Sequence, residues 1–355
     1  MTMIKILKWF FLITSVVFLL ISCNGNEVAL QKEPAISQTE QFVIEDLMNE
    51  KGLLRTDLAN QKDVFLSESV GLWLAYLVEK GDHARFDEQV DVLKLYFLSN
   101  DFIVWRLEDT KKASVNALID DLRIIRVLLD ASEKWHDSDY EQLGKKIGEN
   151  LVQYGMNQEL FVDFVDVSSH DKATTLTISY IMPSAFQKME QHDLLSPQQV
   201  QYQLDILQNA PIAEAGFFPK YFDLSSKSYV FDEELHMIDQ LYTAYHLASM
   251  DGDTIPFKNW LLKLLKRDGR LYGRYSAQTN QPTVTFESPA VYAMAARYML
   301  ALNEKQLAQQ FMEKMIALKD PSSGYVDKNT KLTHSFDNLL PLLAEREVKN
   351  AYHNE

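Results

Sequence analysis

Three acidic places in the chain have residue types suited to proton transfer. The first is Ser67-Glu68, at the mouth of an apolar stretch running from Val70 to Val78. The second is the pair Asp120-Asp121, and the third is Asp232 followed by Glu233 and Glu234. A carboxyl group works as an acid or base near neutral pH when its surroundings bring its pKa toward the working pH. No single segment supplies both an acid and a base with space between them, so a two-carboxylate mechanism needs segments distant in sequence to meet. Other chemistries have less support. The chain has no Gly-rich phosphate loop, no His-Glu-x-x-His and no Gly-x-Ser-x-Gly. Its eight histidines are scattered, so neither a metal site nor a cofactor is expected.

Each acid also has a plain structural reading. Ser67 can cap a helix, with Glu68 complementing the positive end of its dipole. Asp120 and Asp121 can lie on a solvated helix face, and the run 232–234 can be an acidic first turn.

The elements that would position these residues are mostly helical. In 63–82 the apolar residues surround the helix instead of forming one stripe, which predicts an element covered on most sides. Helical periodicity continues through 44–58, 84–98, 113–135, 140–154, 183–190 and 197–208. It resumes in 229–246, 257–266, 287–298, 302–318 and 333–344. Two segments read as strand: 160–167, which alternates apolar and acidic residues, and 174–180, placed to pair with it as a small ribbon. Residues 102–107 form a further short extended run. No Pro/Gly/Ser linker interrupts this body, so it is either two fused cores or a toroid of helix pairs that avoids one thick core.

At the N-terminus, Lys5 and Lys8 precede an apolar run from Trp9 to Ile21 that stops at Ser22-Cys23. This is the pattern of a secretory signal, and it is shorter than the roughly 20 apolar residues of a spanning helix. Leu20-Ile21-Ser22-Cys23 resembles a bacterial lipobox, which implies a signal peptide over 1–22 and a lipid on Cys23, the only cysteine. A polar tether over 23–41 and a folded domain over 42–355 follow. The whole chain carries a net charge of −15, and removing residues 1–22 leaves 33 basic against 50 acidic residues. Such a surface suits neither nucleic acid nor anionic lipid, and fits a neutral or cationic polymer better.

Ser67-Glu68, Gly71 and a hydrophobic helix ending at Gly81-Asp82 resemble the Ser-Glu-Gly segment of glycoside hydrolase family 8, in particular its lipoprotein relatives from exopolysaccharide operons. Ser69 stands where the motif has its second glycine. The resemblance makes Glu68 the general acid and Trp105 a sugar-stacking wall. Residues 116–131 resemble the family's Ala-Thr-Asp-Ala-Asp-Leu-Asp helix, which puts the sugar-holding role on Asp121, or on Asp120 in a register shifted by one. The segment from Tyr229 resembles the Tyr-Asp-Ala-x-Arg segment, with Asp232 as general base, Phe231 for the tyrosine and Leu235 for the arginine; Tyr229 is a further sugar contact.

The resemblance implies a mainly α (α/α)6 toroid acting as an endo-acting, inverting glycoside hydrolase on a polysaccharide. It also implies a monomer anchored through Cys23 to the outer face of the bacterial membrane, without nucleic acid or metal. Inversion needs a protonated and an ionised carboxyl about 6.5–9.5 Å apart. A helix N-terminus lowers a carboxyl's pKa, so burial must outweigh the dipole at Glu68. Phe231, Leu235 and Ile119 keep open a second reading, a non-catalytic polysaccharide-binding or assembly lipoprotein on the same scaffold. A lyase or epimerase is a third, resting on fold analogy alone.

Overall fold

The computed structural model describes residues 37–321, 324–327 and 330–353. Cys23, the predicted signal and most of the predicted tether lie outside the described residues. The described part is mainly α, with twelve α-helices. These are α1 Gln38–Phe42, α2 Ser67–Lys80, α3 His83–Val92, α4 Leu118–Trp135, α5 Ser138–Gly155 and α6 Pro183–Gln191. After them come α7 Pro197–Gln208, α8 Met237–Ala248, α9 Ile255–Asp268, α10 Pro289–Ala301, α11 Lys305–Ala317 and α12 Phe336–His353.

Local chemistry sets several of these ends. The residue closing α2, Gly81, lies at φ 81° and returns its N–H to the carbonyls of Leu77 and Val78. Ser196 and Gln199 form a capping box on α7. A proline opens α6, α7 and α10 within the first turn, where the missing N–H costs nothing. As expected from its all-round apolar pattern, α2 is buried from Ser69 through Leu77. The alanines of α10 at 290, 293, 295 and 296 are fully covered, which lets α8, α11 and α12 pack closely against it.

Four pairs of consecutive helices pack together: α2 with α3, α4 with α5, α6 with α7 and α10 with α11. The first member of one pair then packs on the first member of the next. Thus α2 meets α4, α4 meets α6, α8 meets α10, α10 meets α12, and α12 meets α2. Short antiparallel strands join these layers: Val64–Leu66 with Arg106–Glu108, Tyr221–Asp223 between Thr175–Thr177 and Ser228–Val230, and Glu234–His236 with Arg274–Ser276.

Three sequence expectations change. The helix predicted over 44–58 is replaced after Leu47 by an irregular turn, because the Asn49 side chain accepts the N–H groups of Lys51 and Leu53. The helix predicted from Tyr229 starts only at Met237, since Ser228–Val230 and Glu234–His236 are both recruited as strands. Thr175–Thr177 takes Tyr221–Asp223 as its ladder partner, and the expected ribbon with 160–167 is reduced to the Asp163 N–H on the Thr175 carbonyl at 2.9 Å and a bridge of Val165 with Lys172, while the carboxylate of Asp163 takes the N–H of Thr177 and the hydroxyl of Thr175 at 2.6 Å each.

The folded body also begins earlier than position 42. Glu40 in α1 is fully buried, accepting from Lys80 Nζ at 2.6 Å and from Tyr76 Oη at 2.7 Å. Taking one partner from a buried pair leaves the other charge without compensation, at a cost of about 3–5 kcal/mol. Lys80→Met is therefore expected to destabilise the protein by about that amount in denaturant unfolding, and the double variant Lys80→Met/Glu40→Leu to recover most of the loss.

Candidate active site

Glu68 occupies the first turn of α2, and its position is set from below. Ser67 is the first helical residue, not the cap; the cap position is Leu66, the end of the strand on Arg106–Glu108. The Ser67 N–H donates to the carbonyl of Trp105 at 3.0 Å, which aligns the helix start with that strand. Its hydroxyl donates at 2.6 Å to Asp120 Oδ2, a residue only 4% exposed in the first turn of α4. Asp120 also takes Nη1 of Arg123 at 3.0 Å and the backbone N–H of Glu68. Gly71 lets Arg123 cross here: a Cβ at Gly71 would lie 3.1 Å from Arg123 Cδ.

The surroundings act on the Glu68 carboxyl in a definite direction. Burial pushes its pKa up, the Asp120 carboxylate adds to this, Arg123 opposes, and Asp337 adds again, bringing it to about 8. Glu68 is thus a protonated acid at neutral pH, and burial outweighs the helix dipole.

Glu68 opens into a cleft of about 500 Å³. The N-terminal turns of α2, α4, α8, α10 and α12 converge on it through Glu68, Ile119, Asp239, Val291 and Asp337. Its walls include Tyr180, His236, Arg274 and Phe286, and its floor includes Arg123 and Tyr242. A second carboxylate in it, Asp239, accepts from Ser179 Oγ at 3.1 Å. The Tyr180 hydroxyl is shifted upward by burial and then by nearby carboxylates, Asp239 and Glu68 among them. Asp337 completes the ring, accepting from Ser288 Oγ at 2.5 Å and the Ala290 N–H at 3.1 Å. Gly273 is needed at the wall, because a Cβ there would stand 2.4 Å from the Phe286 ring.

No family model matches the sequence. The chain is 38% identical over 333 residues to the "Putative lipoprotein YdaJ" of Bacillus subtilis (strain 168), covering 92% of this chain and 91% of that protein. The chain belongs to the YdaJ family. PssZ from Listeria monocytogenes is 30% identical at a TM-score of 0.75, covering 89% of this chain and 97% of its own. A novel alpha-amylase from Clostridium perfringens is 25% identical at a TM-score of 0.80, covering 87% and 96%. The family 8 glycosyl hydrolase endoglucanase Cel10 from Klebsiella pneumoniae shares the fold at 15% identity and a TM-score of 0.65, over 89% and 99% of the two chains.

Within this YdaJ-family chain the sequence-predicted site residues separate. Glu68 lies in the cleft. Asp232 does not line it: its carboxylate pairs at the surface with Lys220 Nζ at 2.6 Å, and both side chains are more than a third exposed. Its pKa is lowered, burial being outweighed by the Lys220 hydrogen bond and charge. Asp239, seven residues on, is a carboxylate that does line the cleft with Glu68. The late start of α8 explains the miss, because the first-turn acid had to be counted from Met237. Asp121 is a second correction. It is 2% exposed and absent from the cleft, accepting from Asn116 Nδ2 at 2.5 Å, while Asn116 Oδ1 takes the Val165 N–H.

Asp120 also lies below the cleft and not in it, acting on Glu68 through Ser67 and Arg123. Tyr229 is a third correction: its hydroxyl donates to the Ile206 carbonyl and its ring packs edge-on against Phe222, away from the cleft residues. Trp105 is not among the residues lining the cleft; it is 37% exposed, with Arg106 over its ring at 6.0 Å. Leu235 is 1% exposed, opposite Tyr275, so it fills no catalytic position.

Because the folded state holds a proton on Glu68 that the unfolded chain releases near pH 4.5, stability falls as pH rises from about 4.5 toward 8. Replacing the group removes that loss. The stability advantage of Glu68→Gln over the native chain is expected to grow across this window by at most about 1.4 kcal/mol per pH unit, read from denaturant unfolding at several pH values.

Proposed function

We propose that this protein is an inverting glycoside hydrolase of a polysaccharide, with Glu68 as general acid and Asp239 as general base. The observation that carries the reading is the meeting, in one cleft, of a carboxyl kept protonated at neutral pH and a second carboxylate from a segment 171 positions later. The volume of about 500 Å³ lies in the range of binding clefts. In the reaction the Glu68 O–H gives its proton to the glycosidic oxygen as the C1–O bond breaks. Asp239 takes a proton from a water that attacks C1 from the opposite side. Both carboxyls exchange their protonation states, and bulk water restores them.

The remaining residues take supporting roles. Phe286 in the wall and the exposed Trp105 offer flat faces to sugar rings. Asp120 positions Glu68 through Ser67. With Asp239 as the base, Phe231 and Leu235 no longer argue against turnover, since neither lines the cleft. We further infer that the helix pairs close as an (α/α)6 toroid, supported by the return of α12 onto α2 and by the family 8 fold likeness. Anchoring through a lipid on Cys23 at the outer face of the membrane is supported by the lipobox and by the description of YdaJ as a putative lipoprotein. Among the described residues no helix is long and apolar enough to cross a membrane. An exopolysaccharide is the substrate class that fits this place and the acidic surface.

Glu68→Gln and Asp239→Asn are each expected to lower the release of reducing ends by about 10²–10⁴-fold while polymer binding persists. Asp232→Asn is expected to stay within about twofold, as its surface pair with Lys220 is worth little. Loss of activity in Asp232→Asn but not in Asp239→Asn would overturn the base assignment. Since Glu68 must carry its proton, kcat/KM is expected to fall as pH rises through about 8. Proton NMR of the first-formed product tests inversion at the anomeric carbon.

A further inference from the structure

Beneath the cleft lies a second cavity, of about 220 Å³. Along α2, α4, α8, α10 and α12 its residues follow those of the cleft by one to three turns: Glu79 after Glu68, Arg126 after Ile119, His246 after Asp239, Arg297 after Val291 and Glu347 after Asp337. The two cavities share Arg123 and Tyr242, which form the partition between them. Glu79 is exposed, so the lower cavity is open on its own side, and nothing in the proposed hydrolysis uses it.

Its polar groups are incompletely matched. Arg297 is satisfied by a two-pronged pair with Glu347 at 2.7 and 2.8 Å, Arg126 gives Nη1 to Asp130, and Arg123 gives Nη1 to Asp120. Three buried atoms lining the cavity lack a hydrogen-bond partner of good geometry: Arg126 Nε, Tyr242 Oη, which lies beside Arg123, and His246 Nε2. Tyr242 is 5% exposed and His246 4%. A buried polar atom left unmatched costs about 1–3 kcal/mol, so three in one chamber call for a common occupant. The pair with Asp130 accounts for the charge of Arg126 but leaves its Nε–H without an acceptor. Of the two carboxylates among the lining residues, Glu347 is taken by Arg297, and Glu79, reachable by solvent but with its carboxyl crowded by neighbouring groups, has its pKa pushed up by that desolvation and then by Glu347 to about 7. His246 is kept neutral by burial and the neighbouring arginines. The unmatched atoms therefore sit among arginines whose other N–H groups already hold carboxylates, a setting that suits a small oxygen-bearing anion.

We infer that this lower cavity is a binding site for a small oxyanion, held by the Arg126 Nε–H, the Tyr242 hydroxyl and His246, separate from the catalytic cleft. The site stands whether or not the cleft hydrolyses sugars, because its test reads binding alone. Inorganic phosphate is the probe, titrated calorimetrically into the full chain against chloride of equal ionic strength. One saturable site is expected. Arg126→Gln should weaken it about tenfold, whereas Glu79→Gln, which removes an opposing carboxylate at an exposed position, should tighten it severalfold. Arg274→Gln, on the cleft wall, should leave it unchanged. No saturable heat would mean that water alone fills the chamber and would overturn the site. Weakening by Arg274→Gln, or weakening by Glu79→Gln, would overturn it as well. Should Arg126→Gln fail to fold, the sign of the Glu79→Gln effect decides.

Discussion

One buried carboxylate holds the functional end of this molecule together. Asp120 has almost no contact with solvent, and a charge in that position is tolerated only where several donors meet it. The hydroxyl of Ser67, the N–H of Glu68 and the guanidinium of Arg123 do so, and each comes with a structural consequence. Ser67 and Glu68 fasten the start of α2 to the start of α4. Arg123 passes so close to α2 that the helix carries glycine at position 71. The same negative charge, added to burial, keeps a proton on the Glu68 carboxyl. Asp120 thus sets the place of the acid and reinforces the effect of burial on its protonation state.

The cleft above this knot is built from helix starts, and its walls come from the short strands between helices. Strand pairing of Glu234–His236 with Arg274–Ser276 brings His236 and Arg274 to the wall. Helix N-termini present unpaired N–H groups and positive dipole ends, which favour ionised carboxylates. Asp337, fastened to Ser288 and to the start of α10, uses that setting. Glu68 departs from it because burial and two neighbouring carboxylates outweigh both the dipole and Arg123. An acid and a base can then differ in protonation while both sit on helix starts.

Arg123 and Tyr242 deserve equal weight with the carboxylates, since they close the floor of the cleft and the roof of the cavity beneath it. Polar residues along the interior of a helical body carry a cost unless matched. Most here are matched in pairs, as with Arg297 and Glu347. Three of the exceptions, on Arg126, Tyr242 and His246, line the lower chamber.

Periodicity made the helices legible: α3, α5, α6, α7, α9, α10 and α11 all fall close to where apolar spacing puts them, and the burial of α2 followed from its apolar residues on every side. Glu68 was legible too, because a carboxylate at the mouth of a buried helix is anomalous in the sequence itself. The partner carboxylate was not. The segment 229–246 reads as one helix, yet strand pairing of Tyr229 with Phe222 and of Leu235 with Tyr275 delays the helix to Met237. That delay takes the cleft away from Asp232 and gives it to Asp239. Between Asp120 and Asp121 the sequence offers two adjacent identical groups about 100° apart on a helix. Only the neighbours, Ser67 and Arg123 on one side and Asn116 on the other, decide which one lies beneath the acid. Spacing along the chain sets which residues are helical and buried; long-range strand pairing and hydrogen bonding set which carboxylates face each other.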